Sequence, residues 1–295
     1  MLTALVAVLA LAGAEPHYYT FESRRDPFAP VFVGRAIPAE REGYLRRRMS
    51  SFGFTKEEIA AFFADPRLRI YPRRATKNGT KKADWDALRN QMVAPASVVA
   101  GVAYYRRHEE TLRRARERYG VLETSAVAIA RIESAFGSYL YNPKNPHTVV
   151  VDIFYTKTAR LSAKPVSDKN PTPRWQAAAN SLVELLVYCG KNSLDCFKIK
   201  GSWAGAIGIT QIMPFNLDEY GEDGDGDGRV DLVGSGADAL LSTMKFLAEN
   251  GYASTREGRL RGFVNYYGEN GRYPEISIEY EVLLERAINA PRGSE

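Results

Sequence analysis

The chain has 295 residues, 45% hydrophobic and 25% charged, the make-up of a globular protein able to bury a real core. Its formal net charge of +5 comes without a basic-aromatic nucleic-acid motif, so nucleic acid is set aside and an anionic polymer or surface remains as a partner class. Two cysteines and three scattered histidines exclude a Cys/His zinc site and leave a histidine-based triad little material.

In chain order, residues 1–14 read as a signal peptide. An apolar run from Leu2 to Leu11 ends at Ala12-Gly13-Ala14, is too short to span a bilayer, and predicts a periplasmic or secreted protein. Residues 15–40, rich in Pro, Arg and aromatics, read as an extended arm, and residues 41–290 as one large domain. Helices are expected over Glu40–Met49 and after Thr55, where Thr55 and Glu58 form a capping box before Ile59, Phe62 and Phe63. The basic stretch 70–82 reads as a loop. One long amphipathic helix is expected from Val98 to Tyr119, and a second, apolar one from Glu123 to Glu133. Residues 140–172 are Pro- and Asn-rich around a β-branched run, Thr148 to Asp152. Thr172 and Pro173 suit the cap and first position of a helix through Tyr188. Further helices are expected over Ala237–Glu249 and Ile278–Ile288, with Tyr266 to Arg272 turn-like between them. Alternating strand patterns are nearly absent, so the fold is mainly α. In an exported chain Cys189 and Cys196 are expected to close a small disulfide loop; in a reducing compartment they would be two buried thiols.

Three segments carry chemistry. At helical spacing Ala126, Ile129, Ala130, Glu133 and Phe136 share one face, which puts a carboxylate on the stripe that should be buried. Burial without a cation raises a carboxyl pKa and makes a proton donor near neutral pH. The plainer possibility is a Glu that escapes to solvent at the helix end or pairs with Arg131. The second segment is Gly201-Ser-Trp-Ala-Gly-Ala-Ile-Gly-Ile-Thr-Gln211-Ile-Met-Pro214, whose small residues allow close backbone approach and whose polar groups include Ser202 and Gln211. The third, Asp223-Gly-Asp225-Gly-Asp227-Gly-Arg-Val-Asp231, fits the first nine positions of an EF-hand loop, with carboxylates at 1, 3, 5 and 9 and the turn glycine at 6. Four hard oxygen donors at that spacing suit Ca²⁺ in a structural role. Ser235 and Asp238 also read as a capping box for the next helix.

A Glu-Ser-x-x-Gly helix end followed by Gly-Ser-aromatic-Ala-Gly-Ala-x-Gly-x-x-Gln-x-Met-Pro resembles the membrane-bound-B type of lytic murein transglycosylases. Tyr119-Gly120-Val121 before it and the Asp-Gly-Asp-Gly loop after it keep the same order. The resemblance spans roughly residues 90–275. It implies an α+β lysozyme-like fold with helical additions and cleavage of the MurNAc–GlcNAc β-1,4 bond of peptidoglycan with a 1,6-anhydro end. It implies Glu133 as the single acid/base, Ser202 orienting it, Gln211 and Tyr267 contacting glycan, and Asp238 completing the metal loop in place of Gly234. The chain departs from the pattern at Ile212, at Phe215 and across 140–172. The rival expectations are a hydrolytic muramidase, with Glu269 or Asp152 handling water, and a non-catalytic peptidoglycan-binding scaffold. The chain is read as a monomer, and Arg25-Asp-Pro-Phe-Ala-Pro30 as an element that could dock a cell-envelope protein.

Overall fold

The computed structural model describes residues 36–71, 84–140, 148–202, 204–268 and 272–290. The leader, most of the N-terminal arm and Glu269 lie outside these residues. In chain order the helices are α1 (Ala39–Ser51), α2 (Lys56–Ala64), α3 (Trp85–Val93), α4 (Pro95–Arg107), α5 (Glu109–Tyr119) and α6 (Glu123–Ser134). Strand β1 (Thr148–Val149), α7 (Val150–Arg160), the hairpin β2 (Pro165–Ser167) and β3 (Asn170–Pro173), α8 (Arg174–Lys191) and β4 (Lys200–Gly201) follow. The chain ends with α9 (Gly236–Glu249), α10 (Arg256–Tyr267) and α11 (Tyr273–Asn289). The fold is mainly α, as expected. The described residues gather into two compact units, one drawn from 1–75, 143–207 and 212–219, the other from 76–142, 208–211 and 220–295.

In the first unit α8 packs along α7 and α1. Thr55 caps α2 as its sequence requires: its hydroxyl accepts the Glu58 N–H at 3.1 Å, and Glu58 returns to the Thr55 N–H at 2.7 Å. The β-branched run Thr148 to Asp152 divides between strand and helix. Only Thr148 and Val149 are strand, pairing antiparallel with Gly201 and Lys200, and Val150 starts a helix. Val150, Val151, Ile153 and Phe154 are all buried there, and that burial outweighs the modest helix penalty of β-branching. Thr172 and Pro173 end strand β3, so α8 starts one residue later than expected and without a side-chain cap. Cys189 and Cys196 form a disulfide, with Cα atoms 5.6 Å apart. Removing it as Cys189→Ser with Cys196→Ser should cost about 2 kcal/mol, the entropy of releasing a short loop, read by urea unfolding.

In the second unit α6 is the central element, touching α4, α5, α9 and α11. Residues Ala126 to Ala130 are wholly buried, so this helix is apolar on every side rather than along one stripe. The single helix expected from Val98 to Tyr119 is two. α4 ends at Arg106 and Arg107, His108 leaves helical geometry (φ −115°, ψ 16°), and α5 opens on Glu109 and Glu110. Cations at one helix end and anions at the next start match both helix dipoles, which is what Arg-Arg-His-Glu-Glu encodes. Helices α3 and α10 are additions to the expected set. Tyr266 and Tyr267 belong to the last turn of α10, which stops at Gly268 (φ 71°), and α11 starts at Tyr273 rather than Ile278.

Candidate active site

Glu133 sits in the last turn of α6, and the chain turns sharply just past it. Ala135 (φ 48°), Phe136 (φ 60°) and Gly137 (φ 87°) are all left-handed. Phe136 therefore leaves the helical face that its spacing assigned to it and stacks on Tyr104, with ring centroids 4.5 Å apart. A bulky residue at positive φ is costly, and the ring stack together with the Phe136 N–H to Ala130 O bond (3.0 Å) holds it there. Ser134 completes the turn. Its buried hydroxyl donates to Ile209 O at 2.5 Å and accepts the Gly137 N–H at 2.7 Å. One side chain thus ties the helix end that carries Glu133 to the segment that carries Gln211.

That segment, Gly208 to Gln211, belongs to the second unit, while the flanking stretches of the small-residue motif belong to the first. Gly208 (φ 75°) brings its backbone against Leu232, and the next residue, Ile209, donates its N–H to Leu232 O at 3.0 Å. Tyr266 donates its hydroxyl to Thr210 O at 2.6 Å. Gln211 is left-handed (φ 57°), and its Nε2 donates to Gly208 O at 2.9 Å, within its own turn.

Burial pushes the Glu133 carboxyl up to about 8. Among the described residues no cation forms an ion pair with it. Arg131, the helical neighbour considered as a partner, is buried and donates from Nε to Ser97 Oγ at 2.8 Å. The phenols of Tyr266, Tyr267 and Tyr273 are raised first by burial and second by the Glu133 charge, so all three rings lie within reach of its field. Tyr267 is buried, its ring stacked on Tyr273 and its hydroxyl 3.2 Å from Ser277 Oγ. Tyr266, Tyr273 and the Ser134 clamp were not legible as site residues. The role of Ser134 depends on Ile209, 75 residues on; Tyr266 lies on α10, a helix the sequence pattern did not disclose, and Tyr273 opens α11 ahead of the start at Ile278 that the pattern suggested.

Ser202 lies in the first unit, in a turn where its N–H donates to Ala206 O (3.0 Å), its carbonyl accepts the Gly205 N–H (2.8 Å) and its hydroxyl accepts the Ala206 N–H (3.3 Å). Asp152 also lies there, buried in α7, its carboxylate accepting the Arg69 N–H at 2.8 Å and pushed up to about 7 by burial. That bond makes it an anchor for the chain at Arg69.

In the acidic loop, Asp223, Asp225 and Asp227 each present a carboxylate oxygen, all within 4.8 Å of one another. Gly226 (φ 80°) and Gly228 (φ 84°) supply the left-handed turns, and both donate N–H groups to Asp223. Asp231 accepts the N–H groups of Val233 and Gly234. Asp238 accepts those of Gly224 (2.9 Å) and Asp231 (2.6 Å). Ser235 caps α9 through the Asp238 N–H at 3.2 Å, but the Asp238 carboxylate turns to the loop, so only half of the capping box is present. A cluster of hard oxygen donors on a glycine-turned loop fits Ca²⁺ in its chemistry.

Known proteins resemble the chain in sequence and in fold. The chain is 24% identical over 219 residues to the membrane-bound lytic murein transglycosylase B of Escherichia coli K12; the match takes in 71% of this chain and 56% of that relative, so the chain spans little more than half its length. The soluble lytic transglycosylase SltB1 from Pseudomonas aeruginosa superposes with a TM-score of 0.67 at 18% identity, over 84% of this chain and 99% of that one. The Escherichia coli lytic transglycosylase Slt35, in complex with calcium, does so with a TM-score of 0.65 at 17% identity, over 85% and 94%. At such identities these two structures establish the common lysozyme-like fold and nothing further. Residues 38–261 match the sequence pattern of the transglycosylase SLT domain, and with that match over most of its length the chain belongs to the transglycosylase SLT domain family.

Proposed function

We propose that the protein is an exported lytic transglycosylase that cuts the MurNAc–GlcNAc β-1,4 bond of peptidoglycan without water. The observation that carries this reading is Glu133, a carboxyl raised to about 8 by burial, with no cation paired to it among the described residues. Protonated at neutral pH, Glu133 gives its proton to the glycosidic oxygen as the C1–O4 bond breaks, and the GlcNAc 4-hydroxyl leaves. The positive charge at C1 is shared by the sugar's own N-acetyl group. Glu133, now a carboxylate, takes the proton from the C6 hydroxyl as that oxygen closes on C1. The acid is restored, a 1,6-anhydro end is left, and one carboxylate serves where hydrolytic glycosidases use two. Tyr266, Tyr267 and Tyr273 keep the acid desolvated. In this reading Ser202 orients Glu133, while Gln211 and Tyr267 contact the glycan.

Mass spectrometry of purified peptidoglycan digested with the protein tests the reading. Anhydro-muropeptides are the expected products; reducing-end products in their place would make the protein a hydrolase, and intact glycan retained on the protein would make it a binding module.

The acidic loop enters the proposal as a structural calcium site of Asp223, Asp225 and Asp227, with Asp231 and Asp238 joining as the ligand shell closes. Bound there, calcium would neutralise the loop and fix the entry to α9. With calcium at a hundredfold over its Kd, melting should rise by about 5 °C relative to chelator, and Asp225→Asn should remove most of that rise. An identical melting curve with and without calcium would refute the site.

For the chain as a whole we infer removal of residues 1–14, a periplasmic or secreted location, residues 15–40 as an arm for an envelope partner, and residues 41–290 acting as one catalytic domain in a monomer. Among the described residues no helix is long and apolar enough to cross a membrane.

A further inference from the structure

Lys157 projects from α7 in the first unit, and its Nζ donates to Ala204 O at 2.5 Å. Ala204 lies in the turn from Ser202 to Ala206 that holds the Ser202 backbone and hydroxyl. The same ammonium sits 5.3 Å from the centroid of the Phe154 ring, one helical turn back. That ring packs directly beneath the turn: a Cβ on Gly205 would run into it, 2.6 Å from Cε2, and Gly205 is left-handed besides (φ 100°). Among the described residues no carboxylate pairs with Lys157. An ammonium drawn into a half-buried place without an anion loses hydration, which lowers its pKa and must be offset by another contact. The contact recorded is a carbonyl of the Ser202 turn, a charge-assisted bond stronger than a neutral one. A lysine that only laid its stem over α7 would keep its head in water.

We propose that Lys157 is a positioning residue for Ser202, its ammonium fastening the 202–206 turn to α7 over the face of Phe154. The consequence for activity rests on the proposed role of Ser202 at the acid; the geometry of the fastening does not.

The test uses the whole chain and two readouts. Lys157→Met keeps the stem and removes the charged head, and Lys157→Arg restores a cationic donor. By hydrogen exchange, the amides of Gly205 and Ala206 should exchange about tenfold faster in Lys157→Met and near the wild-type rate in Lys157→Arg. In anhydro-muropeptide release, Lys157→Met should lower kcat about tenfold with KM within about twofold, and should add little to Ser202→Ala when the two are combined. Unchanged exchange at Gly205 and Ala206, or losses that multiply in the double variant, would overturn the proposal. If Lys157→Met melts well below the wild type, exchange in Lys157→Gln is compared with that in Lys157→Arg at a temperature where both are folded, and equal protection overturns it. Wild-type protein that releases no anhydro product would refute the transglycosylase reading alone, since the exchange result still decides whether Lys157 holds the turn.

Discussion

Glu133→Gln should lower anhydro-muropeptide release by a factor of about a thousand or more, because it removes the proton donor and the proton acceptor in one change. The isosteric amide leaves the packing of α6 intact, so the loss should not come from unfolding. The same variant makes an opposite prediction for stability. The Glu133 carboxyl is held near 8 in the folded protein, against 4.5 for an ordinary glutamate. Below pH 4.5 it is protonated in both folded and unfolded chains, and the residue costs nothing. Between 4.5 and 8 the unfolded chain releases the proton while the folded one keeps it, so stability falls as pH rises; above 8 the deficit is constant. Gln carries no such deficit. Glu133→Gln should therefore melt with the wild type at pH 4 and several degrees above it at pH 9, a gain of roughly 3 kcal/mol once screening of the partly exposed residue is allowed for. The rate of the wild type should fall through an alkaline limb near pH 8. Equal melting temperatures at pH 9, with an alkaline limb two units away, would show that Glu133 is not the desolvated acid.

Gly208→Ala should be the most damaging small change outside the acid itself. An added Cβ would overlap the Leu232 carbonyl oxygen and lie 2.8 Å from its carbon, and the residue is left-handed, where a side chain is strained whatever the space. Backbone on one side and backbone on the other cannot both give way. The Ile209 to Leu232 hydrogen bond should break, and with it the registration of Ile209 under Ser134 and of Thr210 under Tyr266. A loss of about 3–5 kcal/mol in chemical denaturation and of about a hundredfold in activity is expected. Gly226→Ala is the matched control. It shares the left-handed backbone (φ 80°) but meets nothing within 4 Å, so it should cost only about 1 kcal/mol. Similar losses in both would mean that conformation alone, and not the approach to Leu232, makes Gly208 necessary.

How far the chain could be read in advance varied with the physics of each element. The capping box at Thr55, the acidic loop and the glycine-punctuated motif are local patterns, in which a few adjacent residues satisfy each other, and they were legible. Glu133 stood out for another reason: a carboxylate on an otherwise apolar helix must be neutralised, paired or led out to solvent, and a proton-donating site is one resolution. Helix α7 was not legible, because its β-branched opening argues for strand and only burial of Val150, Val151 and Ile153 overrules that preference. Helix α10 was hidden by Gly258 and Gly262, which weaken a helix on propensity. Each of them lies where a Cβ would strike a neighbour, Ala253 in one case and Tyr252 in the other. The break at His108 was in plain view as a charge reversal, outweighed by a periodicity that runs across it. Ser134 was beyond reach, since its partner Ile209 is 75 residues away.

That last separation bears on the order in which the protein acquires its chemistry. The tyrosines whose phenols feel the Glu133 charge, Tyr266, Tyr267 and Tyr273, and the Ile209 carbonyl that holds Ser134 beside it, all lie far along the chain from α6. Contacts across such spans form late, after the loop entropy between them has been lost. A chain folded only through α6 carries at residue 133 an ordinary glutamate, ionised at neutral pH and unable to donate a proton. On the proposed reading the acid comes into being when the last helices dock, so the chemistry assigned to Glu133 belongs to the finished fold.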